Sequence, residues 1–467
     1  MAALLVALIA LATLAFGAVY PWGYLPLFTV AALIGAAAIL RCGMPETVRP
    51  LAAVLALTWL AVALQLVPLP RTLLESISPQ AGSVLRNFSL VFVSGAADRQ
   101  PLSIDPARTQ VAAVGLAALA LYLVGLTGFA GGATLRRVPP LLAGLVLALA
   151  LFGIYSREHS NRDTLVYWFW RPQDNVGASP MGPFVNRNHF GGWMVMSVCL
   201  VTGWIVGQIE RARRARRERG TAIEWLSSAE ANGIWTMGLA AIMGVVALFW
   251  SLSRSSIVAL AVCAAAFAWL TLRRPGLGAT RRAAVLSVLG VALLAGLAWR
   301  GPDAVIGRFE ESANMVSRID AWRDGWQVVR DFPVTGTGLN TYSDAMLFYQ
   351  TRNRDFHLAQ AHNDYLQLLA EGGLIVALPA AAAIVLLVLG VRRNLRAAQV
   401  EARGYWIRAG AAVGMLGMAV QELFEFSLQI PANALLFATL AGLALSPAQA
   451  RVHPRRRPSA RDTIAPS

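Results

Sequence analysis

The chain contains no lysine: all 40 basic residues are arginine, against 25 acids, and charged residues make up only 14% of 467. Soluble domains usually carry roughly a quarter charged residues, so a soluble enzyme is a poor fit. A disordered regulator fits no better, because it needs high charge and few apolar residues. Cysteine is scarce too. Cys42, Cys199 and Cys263 lie in or beside apolar runs with no paired spacing, which excludes a disulfide scaffold. No HExxH and no Cys/His cluster occurs, so no catalytic metal is expected. No Walker A loop or Gly-rich nucleotide fingerprint occurs either, so a cytoplasmic nucleotide is not the energy source and no cofactor is expected. What the chain has in abundance is apolar residues, at 57%, with a mean hydropathy of +0.55.

These residues fall in runs of the length that crosses a bilayer as a helix, about 17–20 residues in most cases. Twelve spans are expected: 2–19, 24–40, 51–67, 109–130, 138–155, 188–208, 233–250, 255–271, 283–299, 372–391, 407–424 and 432–446. The first run lacks a basic flank and reads as a retained span, not a cleaved signal. The fold class is therefore an all-α polytopic membrane protein. Its orientation follows from arginine, which gathers on the cytoplasmic side. With both termini inside, the cytoplasmic segments hold 24 Arg and 7 acids, and the outer segments hold 16 Arg and 18 acids. The high pI is thus a signal of topology. The run Arg211 to Arg219 lies where insertion wants positive charge, so no nucleic-acid partner is expected; membrane lipids are. Three outer segments are long, 68–108, 156–187 and 300–371, and the last is too long for a simple connector. Within it, Ile319, Trp322, Trp326 and Val329 recur at helical spacing over 317–331. Gly336-Thr337-Gly338 breaks that helix, a second helical stretch follows near 341–350, and the chain re-enters the membrane after Glu371-Gly372-Gly373. Trp168-Phe169-Trp170 reads as an interfacial belt.

Several constellations can carry chemistry, and each has a plainer alternative. Arg254, in Ser251-Leu252-Ser253-Arg254-Ser255-Ser256, either snorkels to headgroups or aims its planar fork at a phosphate. Arg318 either pairs locally with Asp320 or Asp324 or acts as a second phosphate clamp. His362, in Ala361-His362-Asn363-Asp364-Tyr365, is either a bystander to a helix cap at Asn363 or Asp364 or a base; imidazole has an unperturbed pKa of about 6.5. Arg187, Asn188 and His189, at the start of the sixth span, either cap it or form a polar lip that binds sugar hydroxyls or phosphate. Glu422 and Glu425, three apart, are expected to share one helix face and to pair with an outer Arg. His159 and His357 stand in outer loops with no evident role, and His453 lies in the basic tail.

Taken together, the Ser-Arg-Ser-Ser turn, the Ser-Arg-x-x-x-Trp helix leading to FPVTGTGLNTY, AHNDYLQLLAEGGL and NRNHFGGWMVM resemble the O-antigen ligase and polymerase superfamily. PLSIDPART and FEFSLQIPANALLF are similar to stretches of one bacterial branch. The resemblance is strongest over about 180–390. It implies a GT-C-like membrane glycosyltransferase with a large periplasmic helical loop between spans nine and ten. It divides the chain into N-terminal transmembrane helices (1–180), a ligase-like core (181–391) that includes the loop 300–371, C-terminal transmembrane helices (392–446) and a basic cytoplasmic tail (447–467). It also implies residence in the bacterial inner membrane and a metal-independent, inverting transfer. The donor would be a glycan on undecaprenyl diphosphate, and the acceptor a lipid A core, a glycan or a protein. Carried over by motif, Arg254 and Arg318 would hold the diphosphate and His362 would activate the acceptor hydroxyl. Arg187, Asn188, His189, Asn363 and Trp322 are the candidate substrate-binding residues. The family often has Asp before the Phe where this chain has Glu425, so that acid is given no role. A polymerase, a protein O-oligosaccharyltransferase and a 6 + 6 transporter remain as alternatives.

Overall fold

The structure is a computed structural model and describes residues 1–96, 98–160, 179–216, 229–275, 277–303, 306, 313–352, 354 and 357–447. The Trp168–Trp170 belt, the Arg217–Arg219 end of the basic run and the tail beyond 447 lie outside these residues. The described chain is almost entirely helical: α1 Ala2–Leu14, α2 Pro21–Cys42, α3 Arg49–Leu64, α4 Arg71–Ile77, α5 Pro79–Phe88, α6 Leu90–Val93, α7 Pro106–Phe129, α8 Gly132–Glu158, α9 Arg187–Arg216, α10 Ala229–Ser251, α11 Arg254–Arg273, α12 Ala279–Arg300, α13 Ala313–Asp331, α14 Tyr342–Tyr349, α15 Asp364–Ala397, α16 Ala402–Gln421 and α17 Pro431–Leu445. The described residues also include a two-residue antiparallel pair, β1 (Leu69–Pro70) and β2 (Arg99–Gln100), with Leu69 opposite Gln100, and two isolated bridges, Ser179 with Asn186 and Met181 with Phe184.

Each of the twelve expected spans falls on a helix, but nine of the described helices are long and apolar enough to cross a membrane: α2, α3, α7 to α12 and α15. Helices α1 and α17 are apolar but shorter, and α16, which carries Arg403 and Arg408, falls outside the set. The chain is a multi-pass membrane protein on this evidence. Burial separates the roles of the helices. The apolar window of α9 is 100% buried, whereas that of α15 is 22% and that of α12 only 12% buried. Apolar helix surface left outward on this scale requires a lipid solvent. Helix α9 is the axis, packed by α8, α10 and, most extensively, α16. The α9–α16 crossing is close because both helices present small residues there: a Cβ on Gly203 would lie 2.3 Å from the Trp406 carbonyl oxygen and 2.9 Å from Gly410 Cα. Small-xxx-small pairs such as Gly203/Gly207 and Gly410/Gly414 allow this approach between membrane helices.

A second, smaller core lies at one end of the bundle, where segments 69–104 and 321–370 meet through Leu74, Leu85, Phe92, Ile104, Val328, Phe332, Tyr342 and Met346. This end carries the helical layer expected between 300 and 371. Its joint with the bundle is a kink in α15. Gly373 has φ +55°, and a Cβ there would sit 2.4 Å from the Val334 carbonyl oxygen, so the position demands glycine. The kink frees backbone groups that need partners. Segment 333–338 supplies them: Thr337 N–H donates to Ala370 O (3.1 Å), Gly338 N–H to Glu371 O (2.9 Å), and Leu374 N–H to Pro333 O (3.0 Å). Fully buried Gln65 ties the knot from the N-terminal side, donating to Thr335 O (2.8 Å) and Glu371 O (2.9 Å) and accepting from Leu339 N–H (3.0 Å). The PLSIDPART segment joins it, since Ile104 N–H donates to Thr337 O (2.8 Å) and the Thr109 hydroxyl to Leu339 O (2.9 Å).

Candidate functional site

Five separate stretches deliver polar side chains to this end of the bundle, the bend after α16 among them. The α10–α11 connection is only Leu252-Ser253, with Leu252 at φ +51°. Ser253 caps α11, its Oγ accepting from Ser256 N–H, which sets Arg254 at the first helical position. Helix α9 begins directly alongside: a Cβ on Gly191 would lie 2.2 Å from Ser256 Oγ, so the Gly191-Gly192 pair lets the serine turn press against the first turn of α9. Helix α13 brings Arg318 near its N-terminus. Asn363 caps α15, its Oδ1 accepting from Leu366 N–H at 3.0 Å, so the capping alternative for this residue holds. The preceding His362 stands at φ +50°, a left-handed conformation uncommon outside glycine. Its placement is imposed by neighbours on both sides. Ala361 N–H donates to Gln367 Oε1 (2.9 Å), the Trp322 indole N–H donates to Ala361 O (2.9 Å), and Asp364 N–H donates to Glu422 O (3.0 Å).

The centre of the cluster is Glu425. Its carboxylate is fully buried, and charged and polar groups close around it. Oε1 accepts from Arg318 Nη2 and from Asn188 Nδ2 (2.7 Å), and Oε2 lies 3.3 Å from His362 Nδ1. Burial alone pushes this carboxyl up, but the His362 hydrogen bond and the charge of Arg318 outweigh it and hold Glu425 below the usual carboxylate range. Arg254 is partly exposed and stands within electrostatic reach of both Arg318 and Glu425. Phe426 closes the floor, its ring edge-on to His362 (5.0 Å between centroids) and to His189 (4.7 Å). Among the described residues no three His, Cys, Asp or Glu side chains are grouped to hold a metal ion.

Arg254, Arg318, His362 and Asn188 are thus brought together. Trp322 and Asn363 flank them, Trp322 also facing the Phe424 ring at 6.4 Å. Arg187 is partly exposed on the same first turn of α9, and its backbone N–H donates to Ser179 O at 2.8 Å. His189 is not on an open lip: it is 5% exposed beneath Phe426, and its carbonyl accepts from Asn433 Nδ2 at 3.1 Å. Arg318 does not pair with Asp320 or Asp324; those acids go to Arg323 and Arg352. Glu422 and Glu425 do not share a helix face, because α16 ends at Gln421 and Glu425 lies in the bend beyond it. Of the two, Glu425 pairs with an arginine and Glu422 lies beside Asp364. Glu425 is the residue that sequence reasoning left without a role. It lies 107 positions from Arg318 and 63 from His362, and the one hint was its place in a polar stretch closing an apolar span. Gln367 was also missed; it fixes the turn before His362 and reaches Gln429 across the site (3.3 Å).

The chain finds no match among curated proteins. Residues 239–381 match a family described as O-antigen ligase. This stretch holds α11, α13 and the α15 kink, and with them Arg254, Arg318 and His362. The motifs and the helical membrane architecture agree with this match, which covers the part of the chain from the middle of α10 to the middle of α15.

Proposed function

We propose that the protein transfers an oligo- or polysaccharide from undecaprenyl diphosphate to an acceptor hydroxyl at the periplasmic face of the bacterial inner membrane. The observation that carries this reading is the meeting of two guanidinium groups and an imidazole around one buried carboxylate, in a chain whose residues 239–381 match a family described as O-antigen ligase. The acceptor oxygen attacks the anomeric carbon. The glycosidic C–O bond forms, the bond from that carbon to the phosphate oxygen breaks with inversion, and the electron pair leaves on the diphosphate. Arg254 and Arg318 face the growing negative charge in a partly dry site, where preorganised donors count most. Arg318 gives one Nη to Glu425 and keeps further N–H donors of its fork for the phosphate. His362 takes the acceptor proton. With Nδ1–H donating to Glu425, the lone pair sits on Nε2, the nitrogen available to the hydroxyl. The charge balance suits this chemistry: two arginines against one glutamate leave the site at +1 at rest, and it gains a further positive charge as the imidazole is protonated and the diphosphate departs. The leaving group drives the step, so no nucleotide is consumed. Lipid-linked glycans and their acceptors are the partners the superfamily implies in general.

The test is a panel of His362→Ala, Arg254→Ala and Arg318→Ala in a host lacking its own enzyme. The expected loss for His362→Ala is about 10²–10⁴-fold in rate. Normal surface-glycan attachment and length in all three, at equal protein level, would remove the mechanism. A ligase and a polymerase share this chemistry and differ in acceptor: in a deletion strain, loss of attachment marks the former and loss of chain length the latter. A protein O-oligosaccharyltransferase would instead leave a periplasmic protein unglycosylated.

A further inference from the structure

Helix α13 is amphipathic, and part of its apolar stripe is left outward although Val329 packs on the smaller core. The buried positions include Ala321, Asp324, Gly325, Val328 and the following Phe332, whereas Ile319 is 37% exposed and Trp326 46% exposed. This outward stripe lines a groove of about 560 Å³, together with Trp322, Gln327, Arg330, Arg352 and Asn363. The volume falls within the range of roughly 300–1,000 Å³ common for small-molecule sites. Arg318, Trp322, Trp326 and Arg330 are spaced by four residues and follow one stripe of the helix for about 18 Å. The groove therefore begins beside His362, at Asn363 and Trp322, and leads away along α13.

Its lining combines two kinds of surface. Indole rings offer broad apolar faces with a polar edge, while Gln327, Asn363 and the guanidinium groups are planar hydrogen-bonding groups. The nearby acids are already engaged by the protein. Asp324 is fully buried and accepts from Thr351 N–H (2.9 Å), the Thr351 hydroxyl (2.7 Å) and Arg352 Nη1 (3.0 Å). Asp320 pairs with Arg323 at 3.4 Å. Among the described residues no carboxylate pairs with Arg330. A ligand with apolar C–H faces rimmed by hydroxyls, and able to carry an acidic substituent, matches this lining; that ligand is a chain of pyranose sugars.

We propose that the α13 groove is a saccharide subsite holding the sugar units that flank the reacting bond, with Arg330 receiving an acidic substituent at the far end. This rests on the glycosyl-transfer reading above. The sugars can belong to the donor glycan or to the acceptor, and the chemistry is the same. The experiment uses the full-length protein in detergent and two probes: the oligosaccharide released by mild acid from the host's lipid-linked donor, and the delipidated acceptor saccharide. Saturation-transfer NMR reads the binding of each to wild type, to Trp326→Ala/Arg330→Ala and to Gln327→Ala/Arg330→Ala, the second variant leaving the indoles in place. The expected result is that one probe binds wild type and weakens about tenfold or more in both variants, the scale of losing a Trp or Arg anchor. The probe that responds identifies the source of the sugars. In the transfer assay, KM for that substrate should rise more than kcat falls, as for an interaction made equally in ground and transition states. Equal binding in wild type and both variants overturns the proposal, as does a change confined to lipid partitioning, which would make Trp326 and Arg330 a membrane anchor. Failure of the transferase reading looks different: His362→Ala would keep wild-type transfer whatever the groove binds.

Discussion

Glu425 gathers Arg318, Asn188 and His362 onto one carboxylate, and its removal should be felt in both activity and stability. Glu425→Gln keeps the volume but loses the charge that holds the imidazole. We expect transfer to fall about 10- to 100-fold, the scale of one charge-assisted hydrogen bond of roughly 1.5–3 kcal/mol. The stability effect should depend on pH. The folded carboxyl titrates lower than an unfolded one, so its contribution is present above the ordinary glutamate range and is lost as pH falls through the depressed value. Thermal midpoints of wild type and Glu425→Gln in detergent should differ at neutral pH and converge only on acidification through the depressed value, below the ordinary glutamate range. At this scale the sequence was only partly legible. Arg254, Arg318 and His362 could be singled out because charges and an imidazole beside apolar spans demand a reason. Glu425 could not, since its partners are remote in the chain and the helix end that turns it toward them is decided by packing.

Among elements, the kinked helix α15 is the most demanding. Gly373 must be left-handed and leave room for the Val334 carbonyl. Gly373→Ala should therefore cost about 2–4 kcal/mol, combining strained backbone with overpacking, and should lower activity by shifting the start of α15 next to His362. Gly144→Ala is the control. Its Cβ would meet nothing within 4 Å, and the change should be neutral or stabilising by up to about 1 kcal/mol. Denaturation in detergent compares the two. The break at Gly372-Gly373 was readable from the residues themselves, and so was the period of α13. The face of α13 was not. Periodicity reports that Ile319, Trp322 and Trp326 align, but which side meets a neighbour depends on Tyr342 and Phe332, which lie outside the repeat.

Across the whole molecule, the main core and the smaller clusters at one end are joined through a small set of buried polar links, and Gln65 is the clearest. It connects residues 270 and 306 positions away. Gln65→Ala would strand the Thr335 carbonyl and the Leu339 N–H and leave the Glu371 carbonyl with the Gly338 N–H alone, and we expect a loss of about 2–4 kcal/mol, read as a lower thermal midpoint with transfer falling in parallel. The helical membrane character was plain from composition and run length, because lipid imposes its thickness on every span. The order of packing around α9 was not, since small residues admit close crossings without naming the partner.

The family match ends at residue 381, yet the counter-charge for the matched Arg318 and His362 is Glu425, and the amide beside it is Asn188. A graft of residues 239–381 into another scaffold would carry cations without the anion that restrains them. Exchanges with other chains that match over this stretch would have to move three discontinuous segments together, and recombination within it should be tolerated only where the incoming chain already supplies an acid at the end of its penultimate helix.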